Sequence, residues 1–507
     1  MCGARKIAGY ALAILVCVTV LLFYFGFYRI ILADGNELIS SALDSHLTDL
    51  RVQENKGRIV DRDGLAWPTR ISSAKEMLIQ LESEENASIA LDSVYHLFYS
   101  DDHGLARSNA IQFFGRADGS FDAIDGVRDL YEKKGYDLYS TISGNLNQQL
   151  YKALKNSGAD HAAAIITNYQ TGEVLAYTSI PSVSVGDPNI SKYDESYNEK
   201  SAWMLDQVTN EIFQPGSIQK IATALGAIRH HSRINIERME EAIYECTGSL
   251  AFSENKIVTC PYPHGEVTLT QGFARSCNCM FAWLASELGG DLMTQTSEDL
   301  GYNKTFEFMG RRLIYPVSKY ILPVDRTEFG MAWSGAGQDA DGVDVKAMPY
   351  HIMVMLSAIA NGGQAYEPYV VLGLADRMTG EFISSAKPKL IKEGLINLSS
   401  NEARDLQALM ESVCSENGTG AHLGGRMKAL GYSVAGKTGT AEIGKIIETL
   451  EQNGEVGLSS LKGNISWIAC YVKEVPVAMV ITAVRPKDIA AADIAIDILP
   501  EAIELMR

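Results

Sequence analysis

Three short polar motifs, separated by long intervals of ordinary globular sequence, constrain this chain more than any other feature. The motifs are Ser217-Ile218-Gln219-Lys220, Ser276-Cys277-Asn278 and Lys437-Thr438-Gly439. Together they supply a hydroxyl that can act as a nucleophile, two lysines that can accept and return its proton, and polar groups that can bind an acyl donor. The set therefore predicts acyl transfer through a serine ester.

Ser217 stands out among the serines by its context. The spacing Ser-x-x-Lys occurs five times in the chain, so the spacing alone identifies nothing. At Ser217 it follows Pro215-Gly216 and opens an apolar run with helical spacing. A helix N-terminus stabilises negative charge, and positions i and i+3 share a face, so Lys220 is expected to reach the Ser217 hydroxyl. The structural alternative is an N-cap at Ser217 and a solvated lysine at Lys220.

The Lys437 motif follows a segment that is predicted to be a strand. A lysine base needs a pKa depressed by burial or by a second cation, and Lys437 would be that cation for the first motif. Gly436 and Gly439 leave a strand face open for close approach by another backbone, so a peptide could add along this edge. The backbone N–H groups of Ser217 and Thr440 are a plausible oxyanion hole. The alternative is a surface turn.

Ser276 and Asn278 come just before a second apolar helical pattern. An irregular backbone at that point would aim both side chains into a cleft. Ser276 is expected to relay a proton to the leaving group, and Asn278 to bind a substrate amide. An ordinary helix-capping turn is the alternative.

An uncharged stretch of 22 residues, Ile7 to Tyr28, lies near the N-terminus between Lys6 and Arg29. A helix of that length spans about 33 Å, enough to cross a bilayer core. Arg5 and Lys6 favour a cytoplasmic N-terminus with the rest of the chain outside. We expect a single-pass anchor, and a cleaved signal peptide with a long apolar core is the alternative.

The composition limits the partners and the chemistry. Hydrophobic residues make up 46% and charged residues 21%, which is globular rather than disordered. A net charge of −18 argues against nucleic acid and against an acidic polymer as an electrostatically steered partner. The eight cysteines are scattered, and Cys246 and Cys260, which flank a predicted hairpin, are either a disulfide or free buried thiols. No His/Cys set has metal-site spacing, so no metal is expected.

The distribution of apolar residues predicts a mixed α/β body with antiparallel strands. Two apolar runs between Ala162 and Thr178 surround a glycine-containing turn and indicate a β-hairpin. The runs Ile465 to Val472 and Val475 to Val484 indicate strands, and Ala490 to Leu499 is helical in composition. Apolar residues after Asn278 share a helix face that ends at a pair of glycines.

The motifs and their surroundings resemble the class B penicillin-binding proteins, monofunctional peptidoglycan D,D-transpeptidases. The resemblance covers nearly the whole length. It is carried by the three motifs together with Lys56 to Gly64, Asn168 to Gly172, Phe213 to Ser217, His264-Gly265, Ala360 to Gly363 and Gly436 to Glu442. The chain departs from the family pattern at three positions: Lys56 and Gln214 replace the usual arginine and acidic residue, and Asp339 follows Gly337-Gln338 where glycine is common.

The resemblance implies a role for each motif residue. Ser217 would attack the D-Ala-D-Ala carbonyl of a stem peptide, with Lys220 taking its proton and Ser276 returning it. Asn278 and Lys437 complete the implied catalytic set. Thr438, Gly439 and Thr440 are the implied substrate-binding residues. No cofactor is implied.

The resemblance also implies an architecture and partners. It implies a serine transpeptidase/β-lactamase-like fold, an antiparallel sheet flanked by helices, with a short N-terminal pedestal and one transmembrane helix. The expected divisions are a cytoplasmic tip and anchor over 1–33, the pedestal over 34–135 and the transpeptidase domain over 136–507. Peptidoglycan stem peptides, β-lactam antibiotics and a polytopic glycan polymerase in the membrane are the implied partners.

Two other classes of function are compatible with the motifs. A D,D-carboxypeptidase or β-lactamase would transfer the acyl group to water, and Glu393 is the nearest candidate for a deacylating carboxylate, although its surroundings indicate a helix boundary. A non-catalytic scaffold or β-lactam sensor would keep the fold without turnover. A sensor would need a cytoplasmic module, and only six residues precede the anchor.

Overall fold

The computed structural model divides the chain into two compact units, residues 1–56 with 117–134 and residues 57–116 with 135–507. Of the first unit, only Thr19 and Val20 are described. The residues described are 19–20, 59–64, 66–67, 136–159, 161–180, 206–234, 241, 243–308, 311–313, 317–376, 379–450, 456–484, 486 and 489–507.

Strands and helices alternate irregularly along the second unit. The strands are β1 (Ile59–Val60), β2 (Ala66–Trp67), β3 (Asp137–Ser140), β4 (His161–Asn168), β5 (Val174–Ile180), β6 (Tyr244–Cys246), β7 (Ser249–Ser253), β8 (Lys256–Thr259), β9 (Gly265–Val267), β10 (Phe306–Phe308), β11 (Arg311–Leu313), β12 (Lys319–Ile321), β13 (Asp344–Lys346), β14 (Val371–Ala375), β15 (Phe382–Ser385), β16 (Val434–Leu450), β17 (Val456–Val472) and β18 (Val477–Val484). The helices are α1 (Gly144–Asn156), α2 (Lys220–Arg229), α3 (Leu269–Ala274), α4 (Asn278–Leu288), α5 (Gly290–Asp299), α6 (Glu328–Gly335), α7 (Pro349–Ala360), α8 (Ser400–Val413), α9 (Ala421–Ala429) and α10 (Ala491–Leu505).

A five-stranded antiparallel sheet, in the order β16-β17-β18-β4-β5, forms the centre of the unit. Successive side chains of a strand point to opposite faces, and both faces of this sheet are buried. Ala163 and Ile165 of β4 join one apolar core with α2, α4 and α7, whereas Ala164 and Ile166 join a second core with α1 and α10. The sheet therefore separates two helical layers, and the predicted mixed α/β fold with an antiparallel sheet is confirmed.

The elements that the sequence predicted lie where their patterns indicated. The β4–β5 hairpin occupies the predicted hairpin region, with its turn at Asn168 to Gly172. Helix α4 ends at Gly289, whose φ of +78° favours glycine. The C-terminal strands and helix are present, and α10 continues to Leu505, beyond the predicted end.

A second sheet joins the segment around Ile59 to strands from two later parts of the chain. Its order is β15-β14-β3-β1-β2, with β1 parallel to β3. The Asp61 carboxylate accepts a hydrogen bond from Gly144 N (3.2 Å), and Arg62 pairs with Glu173 (3.1 Å). These contacts tie this segment to the start of α1 and to the β4–β5 hairpin.

The predicted anchor, residues 7–28, lies outside the described residues except for Thr19 and Val20. Most of the predicted pedestal, residues 34–135, and the motif residue Lys56 also lie outside them. Within the part of the chain that is described, no helix combines the length and apolarity needed to cross a membrane.

An ion-pair network fixes the end of α2 against α5 and α8. Arg229 donates to Asp299 (2.6 Å), Glu402 (2.7 Å) and the carbonyl of Asn397 (2.8 Å). Burial raises the pKa of Glu402, but hydrogen bonds from Arg229 and Ser399 outweigh it and lower this pKa to about 2. Since an unfolded glutamate titrates near 4.5, the carboxylate stabilises the fold at neutral pH.

We expect Glu402→Gln to lower the thermal unfolding midpoint by about 1–2 °C at pH 6, which corresponds to about 1 kcal/mol, because the unfolding entropy of a unit this large is high. A depressed folded pKa contributes stability above the unfolded pKa, and that stability is lost as the pH falls towards the folded pKa. The difference from the wild type should therefore shrink by roughly half at pH 3. Glu411→Gln, which breaks an exposed pair with Lys473, is the control and should change the midpoint little. A constant difference at both pH values would contradict the prediction.

Candidate active site

Ser217 lies in a short 3₁₀ turn, Gly216–Ile218, directly before α2. The φ of Gly216 is +51°, and a Cβ there would lie 2.4 Å from the carbonyl oxygen of Thr440. The Gly216 N–H donates to Gly337 O (3.0 Å). Only glycine fits this backbone, so the turn that carries Ser217 packs directly on the β16 strand.

Lys220, the first residue of α2, is fully buried. Its ammonium nitrogen donates to Ser276 O (2.7 Å), Ser276 Oγ (3.1 Å) and Asn278 Oδ1 (2.7 Å). Burial lowers the pKa of Lys220 to about 8, against an opposing effect of nearby cysteines. At neutral pH about a tenth of such a lysine would be neutral.

Lys437 approaches the same oxygen from β16. It is fully buried, and its Nζ donates to Ser276 Oγ (3.1 Å) and to Thr438 O (3.0 Å). Burial and the charge of Lys220 lower the pKa of Lys437 well below its ordinary value. Because two ammonium groups on one oxygen repel each other, the pair favours one neutral and one charged lysine.

Ser276 connects the two lysines to Ser217. Its backbone has a φ of +55°, an uncommon conformation for a residue with a side chain. Its hydroxyl donates to Ser217 Oγ at 2.8 Å. The strained backbone therefore places the Ser276 hydroxyl between the lysine pair and Ser217.

The direct hydrogen bond that the spacing predicted between Lys220 and Ser217 is not present among the described residues. Lys220 contacts Ser276 and Asn278 instead. These acceptors come from a distant part of the chain, so the i,i+3 spacing could not reveal them. A proton leaving Ser217 thus has a hydrogen-bonded route through Ser276.

The remaining predicted residues lie around this centre. Asn278 is fixed through both ends of its amide, because it also donates to Thr259 O (2.9 Å). Gly439 lies against the nucleophile turn: a Cβ there would be 3.0 Å from Pro215 O. Thr438 is half-buried and Thr440 is exposed beside it on β16. The three motifs therefore meet at one centre around the Ser276 hydroxyl.

Several further residues of the site were not predicted. Thr419 Oγ1 lies 2.6 Å from Thr438 Oγ1. The Gln338 side-chain amide donates to Thr440 O (3.4 Å) and accepts from the Gln214 amide (3.0 Å). Gln214 departs from the family pattern, and Gln338 precedes Asp339, which also departs from it. No local sequence signal marked Thr419. Gln214, in contrast, lies just before the Ser217 motif, and Gln338 lies in Gly337-Gln338-Asp339, where the chain departs from the family pattern.

Glu393, the candidate deacylating carboxylate, lies in an exposed turn rather than at a helix boundary. Its turn precedes α8, which begins at Ser400. Among the described residues Ser217 hydrogen-bonds to Ser276 and not to this carboxylate. The geometry gives no support to a deacylating role for Glu393.

Four possible metal ligands, which have no metal-site spacing in the sequence, lie together in the fold. Cys246, Cys260, His264 and Cys277 come together beside the second motif. They are separated by 13, 3 and 12 residues in the sequence, so the fold rather than any short spacing assembles them. The six described cysteines, Cys246 and Cys260 among them, are free thiols.

Comparison with known proteins identifies relatives of this chain. The family profile described as penicillin binding protein transpeptidase domain matches residues 162–499. The stage V sporulation protein D of Bacillus subtilis is 25% identical over 365 residues, 70% of this chain and 52% of that protein. The peptidoglycan D,D-transpeptidase PbpA of Mycolicibacterium smegmatis is 26% identical over 327 residues, 62% of each chain. The chain thus spans only about half to three fifths of the length of these relatives.

Solved structures share the fold at low sequence identity. The D,D-transpeptidase domain of a peptidoglycan glycosyltransferase from Eggerthella lenta superposes with a TM-score of 0.64 at 20% identity, covering 89% of this chain and 98% of that one. Penicillin-binding protein A from M. tuberculosis, as an imipenem acyl-enzyme complex, gives a TM-score of 0.64 at 18% identity with the same coverage. These similarities establish the fold.

Proposed function

Because the chain belongs to the family of penicillin-binding proteins with a transpeptidase domain, we propose that it is a peptidoglycan D,D-transpeptidase that acts through an acyl ester on Ser217. One observation carries this proposal. The Ser217 hydroxyl is hydrogen-bonded through Ser276 to two buried lysines, which is the activation that a serine nucleophile needs.

In the acylation step, Ser217 Oγ attacks the carbonyl carbon between the two terminal D-alanines of a stem peptide. For this step the hydrogen bond between the two serines reverses, so that Ser217 donates to Ser276 and the Ser276 hydrogen turns to the neutral member of the lysine pair. The Ser217 proton then passes to Ser276, and Ser276 passes its own proton to that lysine. The tetrahedral oxyanion accepts hydrogen bonds from the backbone N–H groups of Ser217 and Thr440. When the C–N bond breaks, the proton returns through Ser276 to the departing D-alanine.

In the second step, the amine of a neighbouring stem peptide attacks the ester. The lysine pair takes a proton from this amine through Ser276, and Ser217 leaves with that proton as the peptide bond forms. Atoms and charges balance, because each lysine proton gained in one half-step is returned in the next. The product is a cross-link between two stem peptides.

The substrate carboxylate is proposed to bind at the hydroxyl groups of Thr438 and Thr440. Lys437 is fully buried and already bonded to Ser276, so it contributes charge rather than direct contact. Asn278 keeps one amide hydrogen for a substrate carbonyl, because its other amide hydrogen binds Thr259 O. Gly439 lets the nucleophile turn pack on β16, and the free edge of β16, the outermost strand of its sheet, is proposed to take an extended peptide.

The proposal extends to β-lactams and to the membrane. A β-lactam would acylate Ser217, as imipenem is bound as an acyl-enzyme in penicillin-binding protein A from M. tuberculosis. The proposed organisation keeps residues 1–33 as a cytoplasmic tip and single-pass anchor, 34–135 as a pedestal and 136–507 as an extracytoplasmic catalytic domain. A polytopic glycan polymerase is the proposed membrane partner of the anchor and pedestal.

The test is covalent labelling of the full-length protein by a fluorescent penicillin. We expect persistent label on the wild type and none on Ser217→Ala. The matched control is Ser384→Ala, which removes the serine of another Ser-x-x-Lys sequence (with Lys387) at an exposed position. This control should label like the wild type.

Other outcomes separate the alternative functions. Label that decays quickly would favour a β-lactamase. Label that persists, with release of D-alanine but no dimeric product from paired stem peptides, would favour a carboxypeptidase. Absence of label on folded wild type would overturn the acyl-transfer proposal and favour a scaffold.

A further inference from the structure

Three cysteines and one histidine form a compact cluster beside the Ser276 motif. The candidate ligand atoms of Cys246, Cys260, His264 and Cys277 all lie within 4.8 Å of one another. Cys246 ends β6, Cys260 follows β8, His264 precedes β9, and Cys277 precedes α4. Four separate elements thus present one ligand each to a common centre, a cluster that the acyl-transfer mechanism does not use.

The measured separations fit a tetrahedral metal ion. With bond lengths of about 2.3 Å to sulfur and about 2.0–2.1 Å to nitrogen, the edges of a zinc tetrahedron are about 3.8 Å between two sulfurs and about 3.5 Å between sulfur and nitrogen. Cys260 Sγ lies 3.8 Å from both Cys246 Sγ and Cys277 Sγ. Cys246 Sγ lies 3.4 Å from His264 Nδ1. These separations also exceed a sulfur–sulfur bond of about 2.05 Å.

The surroundings of two sulfurs are those of thiolate ligands. The backbone N–H groups of Cys279 and Met280, in the first turn of α4, point to Cys260 Sγ and Cys277 Sγ at 3.4 Å each. Such donors, at a helix N-terminus, stabilise negative charge on sulfur and orient a ligand. This is a second observation, independent of the ligand separations, that favours thiolates at this site.

The burial of the cluster suits a structural rather than an exposed site. Cys246 and Cys277 are buried, and His264 is 8% exposed. The Nε2 atom of His264 is buried and has no hydrogen-bond partner among the described residues.

The strands around the cluster have little apolar core of their own. The β6–β9 and β7–β8 pairs form two separate two-stranded sheets, and isolated hairpins are marginally stable. Side chains of β7 alternate between exposed and half-buried. A metal bound at the cluster would join both strand pairs to α4 and add to the packing of Val258 and Val267 on the main core.

We propose that Cys246, Cys260, His264 and Cys277 bind one structural zinc ion. Three thiolates and one neutral imidazole are a soft ligand set that suits zinc in a tetrahedral, closed site. Binding to the three thiols would release three protons and leave the site with one net negative charge.

The zinc ion would also position the catalytic loop, a consequence that rests on the proposed function. Cys277 lies between Ser276 and Asn278 in the second motif. A bond from the metal to Cys277 Sγ would hold the backbone whose φ of +55° directs Ser276 towards Ser217. Loss of zinc is therefore expected to slow acylation as well as to lower stability.

The test is the zinc content of the full-length protein, purified without chelator and measured by inductively coupled plasma mass spectrometry. We expect about one zinc per chain in the wild type. Loss of a ligand should weaken binding at least as much as loss of a supporting contact, roughly 100-fold. Cys246→Ser, which leaves the second motif intact, should therefore lose its zinc on dialysis. Cys414→Ser, a buried cysteine outside the cluster, is the matched control and should retain it.

A second measurement covers the case in which Cys246→Ser does not fold. The wild type is stripped by chelator and titrated with cobalt(II), and a thiolate-to-cobalt charge-transfer band with tetrahedral ligand-field bands is expected. Absence of these bands, or zinc in the wild type no higher than in folded Cys246→Ser, would overturn the inference. A Cys246–Cys260 disulfide as the main form of freshly purified protein would overturn it as well.

The outcomes for zinc and for acyl transfer are distinguishable. Ser217→Ala should bind zinc as the wild type does, because Ser217 makes no contact with the four ligands in the described hydrogen bonds. Zinc-loaded wild type that takes no penicillin label would contradict the proposed function alone. Labelled wild type without zinc would contradict the metal site alone.

Discussion

Replacing Lys220 with methionine is expected to slow acylation by a β-lactam about 10³-fold. General acid–base groups contribute about 10²–10⁴-fold to rate. Lys220 is one of two lysines on the Ser276 hydroxyl, and it also fixes Asn278. Methionine has a similar length and carries no charge, so it fills the buried site but can neither transfer a proton at Ser276 nor hydrogen-bond to Asn278. The measurement is the second-order rate constant for labelling by a fluorescent penicillin.

Removing the Lys220 ammonium group is expected to slow acylation also through its effect on Lys437. Burial is the main cause of the lowered pKa of Lys437, and the charge of Lys220 lowers this pKa further. Without that charge the pKa of Lys437 should rise, and Lys437 would hold its proton and accept one from Ser276 less readily. Raising the pH should therefore recover part of the lost rate in Lys220→Met.

Two controls separate chemistry from folding in this experiment. Lys387→Met changes the lysine of an exposed Ser-x-x-Lys sequence and should label at the wild-type rate. The unfolding midpoint of Lys220→Met should stay within a few degrees of the wild type. A folded Lys220→Met protein that is acylated within tenfold of the wild-type rate would contradict the assignment of Lys220 to the proton route.

The fold of the catalytic unit follows closely from local patterns in the sequence. The apolar run after Ser217 has helical period, and it forms α2. The β4–β5 hairpin was predicted because two apolar runs surround a turn that includes Gly172, whose φ is +85°. In each case the residues that determine the element are neighbours in the chain. The second sheet was not predicted, because β1 pairs with β3 and β3 pairs with β14, and these three strands lie far apart in the sequence.

The members of the candidate site were predictable, but their connections were not. Short motifs identified the lysines and Ser276, whereas the route between them depends on the positive φ of Ser276 and on the packing of Gly216 against Thr440. The i,i+3 spacing favoured direct contact of Lys220 with Ser217. The hydrogen bonds of Lys220 instead go to Ser276 and Asn278, which the fold brings from a distant part of the chain.

The cysteine cluster shows why separation in sequence hides a site. Cys246 and Cys260 flank the hairpin, as predicted, and from the sequence this arrangement was compatible with a disulfide or with two free buried thiols. The fold adds His264 and Cys277 from two further elements. No short spacing contains all four residues, so only the arrangement of β6, β8, β9 and α4 assembles them.

Removing the Ser276 hydroxyl is expected to slow acylation about 10²–10³-fold, within the range of a general acid–base group. Among the described residues, this hydroxyl is the hydrogen-bonded link between Ser217 and the lysine pair. Alanine at a φ of +55° adds backbone strain, whereas glycine adopts this conformation readily. Acylation should therefore be slowed by a similar factor in Ser276→Ala and in Ser276→Gly, although the glycine variant should be the more stable protein. A Ser276→Gly rate within tenfold of the wild type would show that the proton leaves Ser217 by another route.

The double variant Lys220→Met/Ser276→Ala provides the sharpest test of the relay. Groups that act as one unit are strongly non-additive, because removing the second has little effect once the first is gone. If the Ser217 proton travels through Ser276 to the lysine pair, the double variant should be about as slow as Lys220→Met alone, roughly 10³-fold. Losses that multiply to about 10⁵-fold or more would mean that the two residues act independently. That outcome would return Lys220 to the direct role that its sequence spacing predicts, with Ser276 acting only on the leaving group.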